Sequence, residues 1–149
     1  MSILFINGSP NKEGNTVALA NILLAGTEYN TLHLADYKLY SYGQEYPDDQ
    51  FLEIVEKMKQ ADTIVFGSPL YWHSMSGAVR NLLDRSYGTV FEETFAGKNM
   101  FFIFQGASPT KEQLAAGEFT MSRYADLYGM SYKGMATTKQ EAKELAKKL

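Results

Sequence analysis

Five short apolar runs alternate with longer segments of helical periodicity, and this alternation limits the chain to few folds. The first, third and fourth runs are continuously apolar, as expected for strands that are covered on both faces. The second and fifth mix apolar and polar residues, which is typical of strands at the edges of a sheet. In the second run we expect His33 to be an exposed edge residue, since no second ligand is spaced to form a metal site with it. The runs cover residues 3–7, 30–35, 63–68, 99–106 and 129–136.

The segments between the runs place apolar residues at the spacing of one helix face. Residues 51–58 carry such a stripe, and Asp48 just before it predicts the N-cap. A later helix is predicted to open at the capping-box pattern Thr110-x-x-Gln113, and the last helix at the same pattern in residues 138–141. Helices therefore separate the strands.

Strand–helix alternation of this kind predicts a parallel sheet with right-handed crossovers. Apolar runs in the centre and mixed runs at the edges give the strand order 2-1-3-4-5. The prediction is an α/β fold, a flavodoxin-like three-layer sandwich around a five-stranded parallel sheet, in one domain spanning residues 1–149. In such a sheet a ligand binds at the carboxyl ends of the first and third strands, where the winding reverses. The loops after strands one, three and four are therefore the candidate site.

Composition excludes several classes of protein and site. The formal net charge is −3, which argues against a nucleic-acid binder, since such a protein needs clustered cationic residues. The chain has no cysteine, so disulfides, thiolate nucleophiles, Cys-ligated zinc and iron–sulfur clusters are excluded, and we expect no metal site. The N-terminal stretch has no basic segment and only a short apolar run. We therefore expect no signal peptide, no membrane association and a cytoplasmic location.

The loop after the first strand, residues 7–16, reads NGSPNKEGNT and is rich in small hydroxyl and amide residues. A phosphate there would meet the free N–H groups at the start of the next helix, with side-chain donors from Ser9, Asn15 and Thr16. The two glycines would let the backbone approach the phosphate closely. The pattern is neither a Walker A loop nor a dinucleotide fingerprint. A tight turn without any ligand explains the same residues equally well.

The loop after the third strand, residues 69–77, reads PLYWHSMSG. Its cluster of Tyr71, Trp72 and His73 is poorly explained by core packing. A flat heteroaromatic ring explains it better, because backbone amides can meet the polar edge of the ring while aromatic side chains cover its faces. We name no catalytic partner for His73.

The loop after the fourth strand, residues 104–113, is compatible with the same ring. Gly106 and Ala107 leave space beside it, and the Gln105 amide offers a paired donor and acceptor. An ordinary turn at the end of a strand remains the alternative. A phosphate at one loop and a flat ring at the other two describe FMN.

These stretches resemble the NAD(P)H-dependent FMN reductase and flavodoxin-like oxidoreductase family. GSPNKEGNT is similar to the first motif of that family and PLYWHSMSGAVRNLLDRSY, at 69–87, to its second, which is the more specific. The resemblance extends over nearly the whole chain. The residues that it implies are Ser9, Asn11, Asn15 and Thr16 around the phosphate, Pro69, Leu70, Tyr71, Trp72 and His73 along the flavin ring, and Gln105, Gly106 and Ala107 at its far edge.

The resemblance also implies a cofactor, a co-substrate and the roles of two further residues, and the sequence departs from the family in one respect. FMN would be the cofactor and NAD(P)H the co-substrate, while Asp84 and Arg85 would tie their helix to a loop or to a partner subunit. Many relatives place a cysteine cluster after the second strand. Here residues 37–46, YKLYSYGQEY, have four tyrosines instead, so an iron–sulfur flavoprotein is excluded. Those tyrosines are either a surface loop or an interface.

Three functions are compatible with these features. The leading hypothesis is an FMN-dependent NAD(P)H oxidoreductase that reduces a small acceptor: a quinone, an azo or nitro compound, or free flavin. The others are a flavodoxin-like electron carrier and a flavin-binding module without nicotinamide turnover. The flavin supplies the difficult chemistry, so we name no catalytic residue. We expect a homodimer whose interface includes residues 37–46 or the Asp84–Arg85 helix.

Overall fold

A parallel sheet forms the centre of the molecule in a computed structural model that describes residues 1–149. The hydrogen-bonded order is β2-β1-β3-β5-β6, with every one of these pairs parallel. One short strand, β4, pairs antiparallel with the end of β3. The predicted order 2-1-3-4-5 is therefore confirmed, with the unpredicted β4 interposed in the numbering. The strands are β1 (Ile3–Asn7), β2 (Asn30–His33), β3 (Thr63–Tyr71), β4 (Ser74–Met75), β5 (Asn99–Gln105) and β6 (Ser131–Ala136).

Helices cover both faces of the sheet, which gives three layers and confirms the flavodoxin-like fold. The first and last helices share one apolar cluster with the sheet, and the middle three share the other. No helix is both long and apolar enough to cross a bilayer. The helices are α1 (Asn15–Leu23), α2 (Phe51–Gln60), α3 (Gly77–Ser86), α4 (Lys111–Leu127) and α5 (Lys139–Leu145), with short 3-10 turns at Leu34–Asp36 and Ala146–Lys148.

Strand β1 shows why its sequence is continuously apolar. Successive side chains of a strand point to opposite faces. Ile3 and Phe5 accordingly pack into the α1/α5 layer, while Leu4 and Ile6 pack into the layer of α2, α3 and α4. Both sides of the strand are buried, so no position favours a polar residue until the strand ends.

The helix starts agree with the sequence predictions at α4 and differ at α2. The Thr110 hydroxyl accepts from Gln113 N at 3.1 Å and the Gln113 Oε1 accepts from Thr110 N at 2.9 Å, so the capping box is confirmed. The prediction that Asp48 caps α2 was wrong. Gln50 is the N-cap and makes no side-chain cap, because Asp49 accepts instead from Phe51 N at 3.2 Å.

The edge strand β6 is irregular. Its register with β5 shifts from Met100↔Tyr132 to Phe101↔Gly134, which leaves Lys133 as an extra residue. Gly134 has φ 132°, a conformation that other residues rarely adopt. A bulge at a sheet edge bends the strand and discourages pairing with another chain.

Candidate functional site

Loop one, residues 8–14, joins β1 to α1 at the carboxyl edge of the sheet. Its helix begins with Gly14 as the N-cap, without a side-chain cap and without an acidic residue in the first turn. The backbone N–H groups of Asn15 and Thr16 donate to no protein acceptor. Free N–H groups and the positive end of a helix dipole favour an anion. The start of α1 therefore has the chemistry of a phosphate site.

Asn7, at the end of β1, holds the beginning of loop one. Its side chain is fully buried and accepts from Ser9 N at 3.0 Å. It also donates to Asn11 O at 3.1 Å and lies 3.0 Å from His33 Nδ1. The prediction of an exposed His33 was therefore wrong, since the residue is half-buried and hydrogen-bonded. The parallel register that places Asn7 opposite His33 was the information that the linear sequence lacked.

The predicted phosphate residues differ in exposure. Ser9 and Thr16 are buried, at 5% and 1% exposed, while Asn11 and Asn15 are exposed. Ser9 Oγ accepts from Asn11 N at 3.1 Å, and this leaves the hydroxyl hydrogen free to be donated.

The one basic side chain of loop one is engaged elsewhere. Lys12 Nζ donates to Asp36 Oδ2 at 2.8 Å, with both side chains about half exposed. The cation is thus offset by a carboxylate on the turn after β2. Donors to an anion at this loop are accordingly neutral amide and hydroxyl groups.

Loop two, residues 69–77, is a β-hairpin with the end of β3 rather than an open loop. Strand β3 continues through Tyr71, and Tyr71 pairs with Ser74. Pro69 and Leu70 are consequently strand residues, and Trp72 and His73 form the two-residue turn. Only the second of them, His73, has positive φ, at 63°, which is the pattern of a type II turn and not of the type I′ and II′ turns that are common in two-residue hairpins. The tip projects into solvent, where Trp72 is 92% exposed.

The hairpin tip is tied to α4. His73 Nδ1 lies 2.6 Å from Gln113 Nε2. Because Gln113 Oε1 already accepts from Thr110 N, the amide nitrogen is the atom that faces the imidazole. Gln113, the partner of the N-cap Thr110 in the capping box of α4, thus also contacts the aromatic turn.

The three loops are linked directly. Gly8 N donates to Gly67 O at 2.8 Å, which joins loop one to β3. Ser76 Oγ donates to Gly8 O at 2.8 Å, and Ser76 also caps α3. Gln105 Nε2 donates to Thr16 Oγ1 at 3.1 Å, which joins loop three, residues 104–113, to the start of α1. Ser76 was missed at the sequence level, although a serine just before a helix is a recognised N-cap pattern.

Gly8 has a different role from the one predicted. A Cβ on Gly8 would overlap the Val79 side chain and lie 2.9 Å from Gly67 O. The absent side chain therefore lets α3 and β3 approach loop one closely. Internal packing therefore requires glycine at this position, whether or not loop one binds a ligand.

Loop three leaves the central strand β5 at Gln105. Gln105 and Gly106 are half-buried and Ala107 is exposed. A Cβ on Gly106 would lie 3.1 Å from Leu70 Cβ, so loop three and the end of β3 are adjacent. The residues predicted to line opposite parts of a ring thus lie at one edge of the sheet.

Arg85 ties α3 to the segment before α2, one of the two roles that the resemblance implies for Asp84 and Arg85, whereas Asp84 does not share this contact. Its guanidinium donates to both carboxylate oxygens of Asp49, at 2.7 and 2.8 Å, and to Tyr40 O at 3.0 Å. This hydrogen bonding lowers the pKa of Asp49 to about 2. Asp84 forms a separate ion pair with Arg80 at 3.2 Å.

Residues 1–141 match the protein family described as NADPH-dependent FMN reductase. This chain belongs to that family. The family resemblance inferred from the two sequence motifs is confirmed, and so is FMN as the family's cofactor.

Individual relatives differ in how much of their length this chain covers. YwqN of Bacillus subtilis is 26% identical over 90% of this chain and 82% of its own length. An iron-sulfur flavoprotein of Archaeoglobus fulgidus is 37% identical over 58% of this chain and 49% of its own length. The chain thus spans about half the length of that relative. The solved structure of the Trp repressor binding protein from Bacillus subtilis superposes with a TM-score of 0.77 at 23% identity, covering 96% of this chain and 98% of that one.

The residues of the site fit FMN. The free N–H groups at the start of α1 suit a phosphate, and the hairpin and loop three suit a flat ring beside it. Loop one has no cation that is not paired, since Lys12 bonds Asp36, which is compatible with a phosphate that is held mainly by backbone and hydroxyl donors.

Proposed function

We propose that this protein is an FMN-dependent NAD(P)H oxidoreductase that passes electrons from a nicotinamide through bound FMN to a small acceptor. The candidate acceptors are quinones, azo compounds, nitro compounds and free flavin. The observation that carries the proposal is the convergence of three linked loops, one with an open helix N-terminus, at the reversal point of the sheet in a chain of the FMN reductase family.

In this proposal loop one holds the phosphate. Ser9, Asn11, Asn15 and Thr16 surround it, through the free N–H groups at the start of α1 and the Ser9 hydroxyl hydrogen. Thr16 Oγ1 accepts from Gln105, so its own hydroxyl hydrogen is free to be donated. Lys12 is paired with Asp36, so its charge is not free to bind the phosphate. The helix dipole and hydrogen bonds would therefore provide most of the attraction for the phosphate.

The ring would lie between the hairpin and loop three. Residues 69–73 would cover one side, with Trp72 at the exposed tip, and residues 105–107 would meet the far edge. Bound FMN supplies hydride acceptance and onward electron transfer. The protein needs to orient the ring and leave one face open for the nicotinamide, so no acid–base residue is assigned.

A second copy of this chain is proposed as the partner. Tyr42, Tyr87, Phe91 and Leu127 are exposed apolar side chains near one another, and the Tyr42 and Tyr87 rings lie 6.0 Å apart. Tyr42 belongs to residues 37–46 and Tyr87 follows α3, so both of the predicted interface segments contribute to one surface. The Arg80–Asp84 pair beside it is self-neutralised. A dimer would bury about 1,000 Å² or more in total.

The function is tested by reconstituting the purified protein with FMN and following NADH and NADPH oxidation with each acceptor class. Turnover above that of free FMN is the expected result. Tight FMN binding without nicotinamide oxidation would instead favour the electron carrier or the binding module. Failure to bind FMN would refute the proposal. The cytoplasmic location stays a prediction.

A further inference from the structure

The amide of Asn7 can adopt only one orientation in this structure. It faces Ser9 N at 3.0 Å and Asn11 O at 3.1 Å. A backbone N–H only donates and a carbonyl only accepts. The oxygen of the amide must therefore face Ser9, and its nitrogen must face Asn11.

That orientation fixes the protonation of the histidine beside it. The Asn7 nitrogen also lies 3.0 Å from His33 Nδ1. Since the nitrogen of an amide can only donate, His33 Nδ1 must accept and therefore carries no hydrogen. His33 is held as the neutral imidazole with its hydrogen on Nε2. Protonation would place an N–H against the Asn7 NH₂ group and break this bond.

The strand beside His33 and the two loops next to it hold few ionisable residues. Strand β1, its only strand partner, has no ionisable side chain. Loop one contributes Lys12 and Glu13, and the turn after β2 contributes Asp36. Lys12 and Asp36 neutralise each other across 2.8 Å. Histidine is the side chain whose charge ordinarily changes between about pH 5 and 8.

We propose that His33 is a positioning residue for phosphate binding. Its neutral imidazole accepts the third hydrogen bond of the Asn7 amide, and the other two bonds of that amide hold the backbone of Ser9 and Asn11 at the start of loop one. Protonation of His33 removes that third hydrogen bond, so the amide is held less firmly by Ser9 and Asn11 alone, and loop one then holds the phosphate monoester of FMN less tightly. The inference rests on the proposed function, because it takes loop one to be the phosphate site.

The test compares the full chain with two variants at about pH 8 and about pH 5.5. In His33→Asn the new Oδ1 takes the place of Nδ1 and accepts from Asn7 at every pH. In His33→Leu the acceptor is lost. Flavin fluorescence gives the dissociation constant of FMN for each protein. Because the phosphate of FMN itself titrates near pH 6, the ratio of wild type to His33→Asn isolates the histidine.

Wild type and His33→Asn should bind FMN alike at the higher pH. At the lower pH wild type should be weaker by about fivefold, the factor that one neutral hydrogen bond carries. His33→Leu should be weaker than His33→Asn by a similar factor at both values. A parallel pH dependence of wild type and His33→Asn would overturn the role of His33.

A measurement without FMN separates this inference from the function. In the NMR spectrum of the FMN-free protein, the Asn7 side-chain amide and the Ser9 backbone amide should shift with pH, and His33→Asn should abolish the shift. If these signals titrate but none of the proteins binds FMN, the proposed function fails while the His33–Asn7 contact stands. If FMN binds and the signals do not move, the positioning role fails alone.

Discussion

Asn15→Asp should have opposite effects on protein stability and on FMN binding. The substitution preserves the shape of an exposed side chain at the first residue of α1, where the first turn has no acidic residue. A negative charge at a helix N-terminus is favourable, so the free energy of unfolding of the FMN-free protein should rise by about 0.3–1 kcal/mol. The same charge should repel the phosphate.

The size of the repulsion follows from Coulomb's law. For a phosphate about 6 Å from the new carboxylate, each pair of unit charges costs about 0.7 kcal/mol in water and about 3 kcal/mol near a protein surface. Each unit of phosphate charge should therefore raise the dissociation constant of FMN roughly 3- to 100-fold, so a dianion should be affected more than a monoanion, and the effect should shrink as salt is added.

Fluorescence titration with FMN and urea unfolding of the FMN-free protein measure the two effects. Riboflavin, which has no phosphate, should bind both proteins alike. Asn21→Asp is the matched control, since it places the same charge on the same helix about 9 Å further along and can still accept from Tyr29, which donates to Asn21 Oδ1 at 2.6 Å. Unchanged FMN affinity in Asn15→Asp would refute the assignment of the phosphate to α1.

Three further predictions concern the hairpin, the α3 ion pair and the exposed apolar surface. Trp72 is the only tryptophan, and its emission should be strongly quenched as FMN binds; constant emission through saturation would place it away from the ring. Arg85 lowers the pKa of Asp49 from 3.8 to about 2, so their pair stabilises the fold above about pH 4, and roughly 2 kcal/mol of stability is lost as the pH falls towards about 2. Asp49→Asn should unfold at lower urea at neutral pH and should flatten this acid dependence; an unchanged profile of stability against pH would contradict the assignment. Sedimentation of the FMN-loaded protein at micromolar concentration should show a dimer, which Tyr87→Ser with Phe91→Ser should convert to monomer, whereas a wild-type species near 16.7 kDa would contradict the proposed interface.

The sequence was sufficient for the architecture because that information is local. Continuous apolar runs identified the strands that are buried on both faces, and mixed runs identified the edges, so the strand order followed. The capping box at Thr110 could also be predicted from local sequence, because its two residues, Thr110 and Gln113, lie within one turn of helix. The prediction of Asp48 as a cap fails because the neighbouring carboxylate, Asp49, is the one that accepts from Phe51 N.

Contacts between distant segments could only come from the tertiary structure. The hairpin after β3 is short and has no alternation that would reveal it, so residues 69–71 were expected in a loop and lie in a strand. Whether Gly8 serves a ligand or packing depends on Val79, which lies on a helix more than sixty residues away.

His33 shows the difference most clearly. By itself the sequence determined that the residue lies on an edge strand, and an edge strand suggests exposure. The tertiary structure decided that the parallel register sets it opposite Asn7, whose amide is fully buried and needs an acceptor for its nitrogen. A buried polar group must find its partners wherever the fold brings them, and the register of one strand against the next cannot be read from the spacing of residues along the chain.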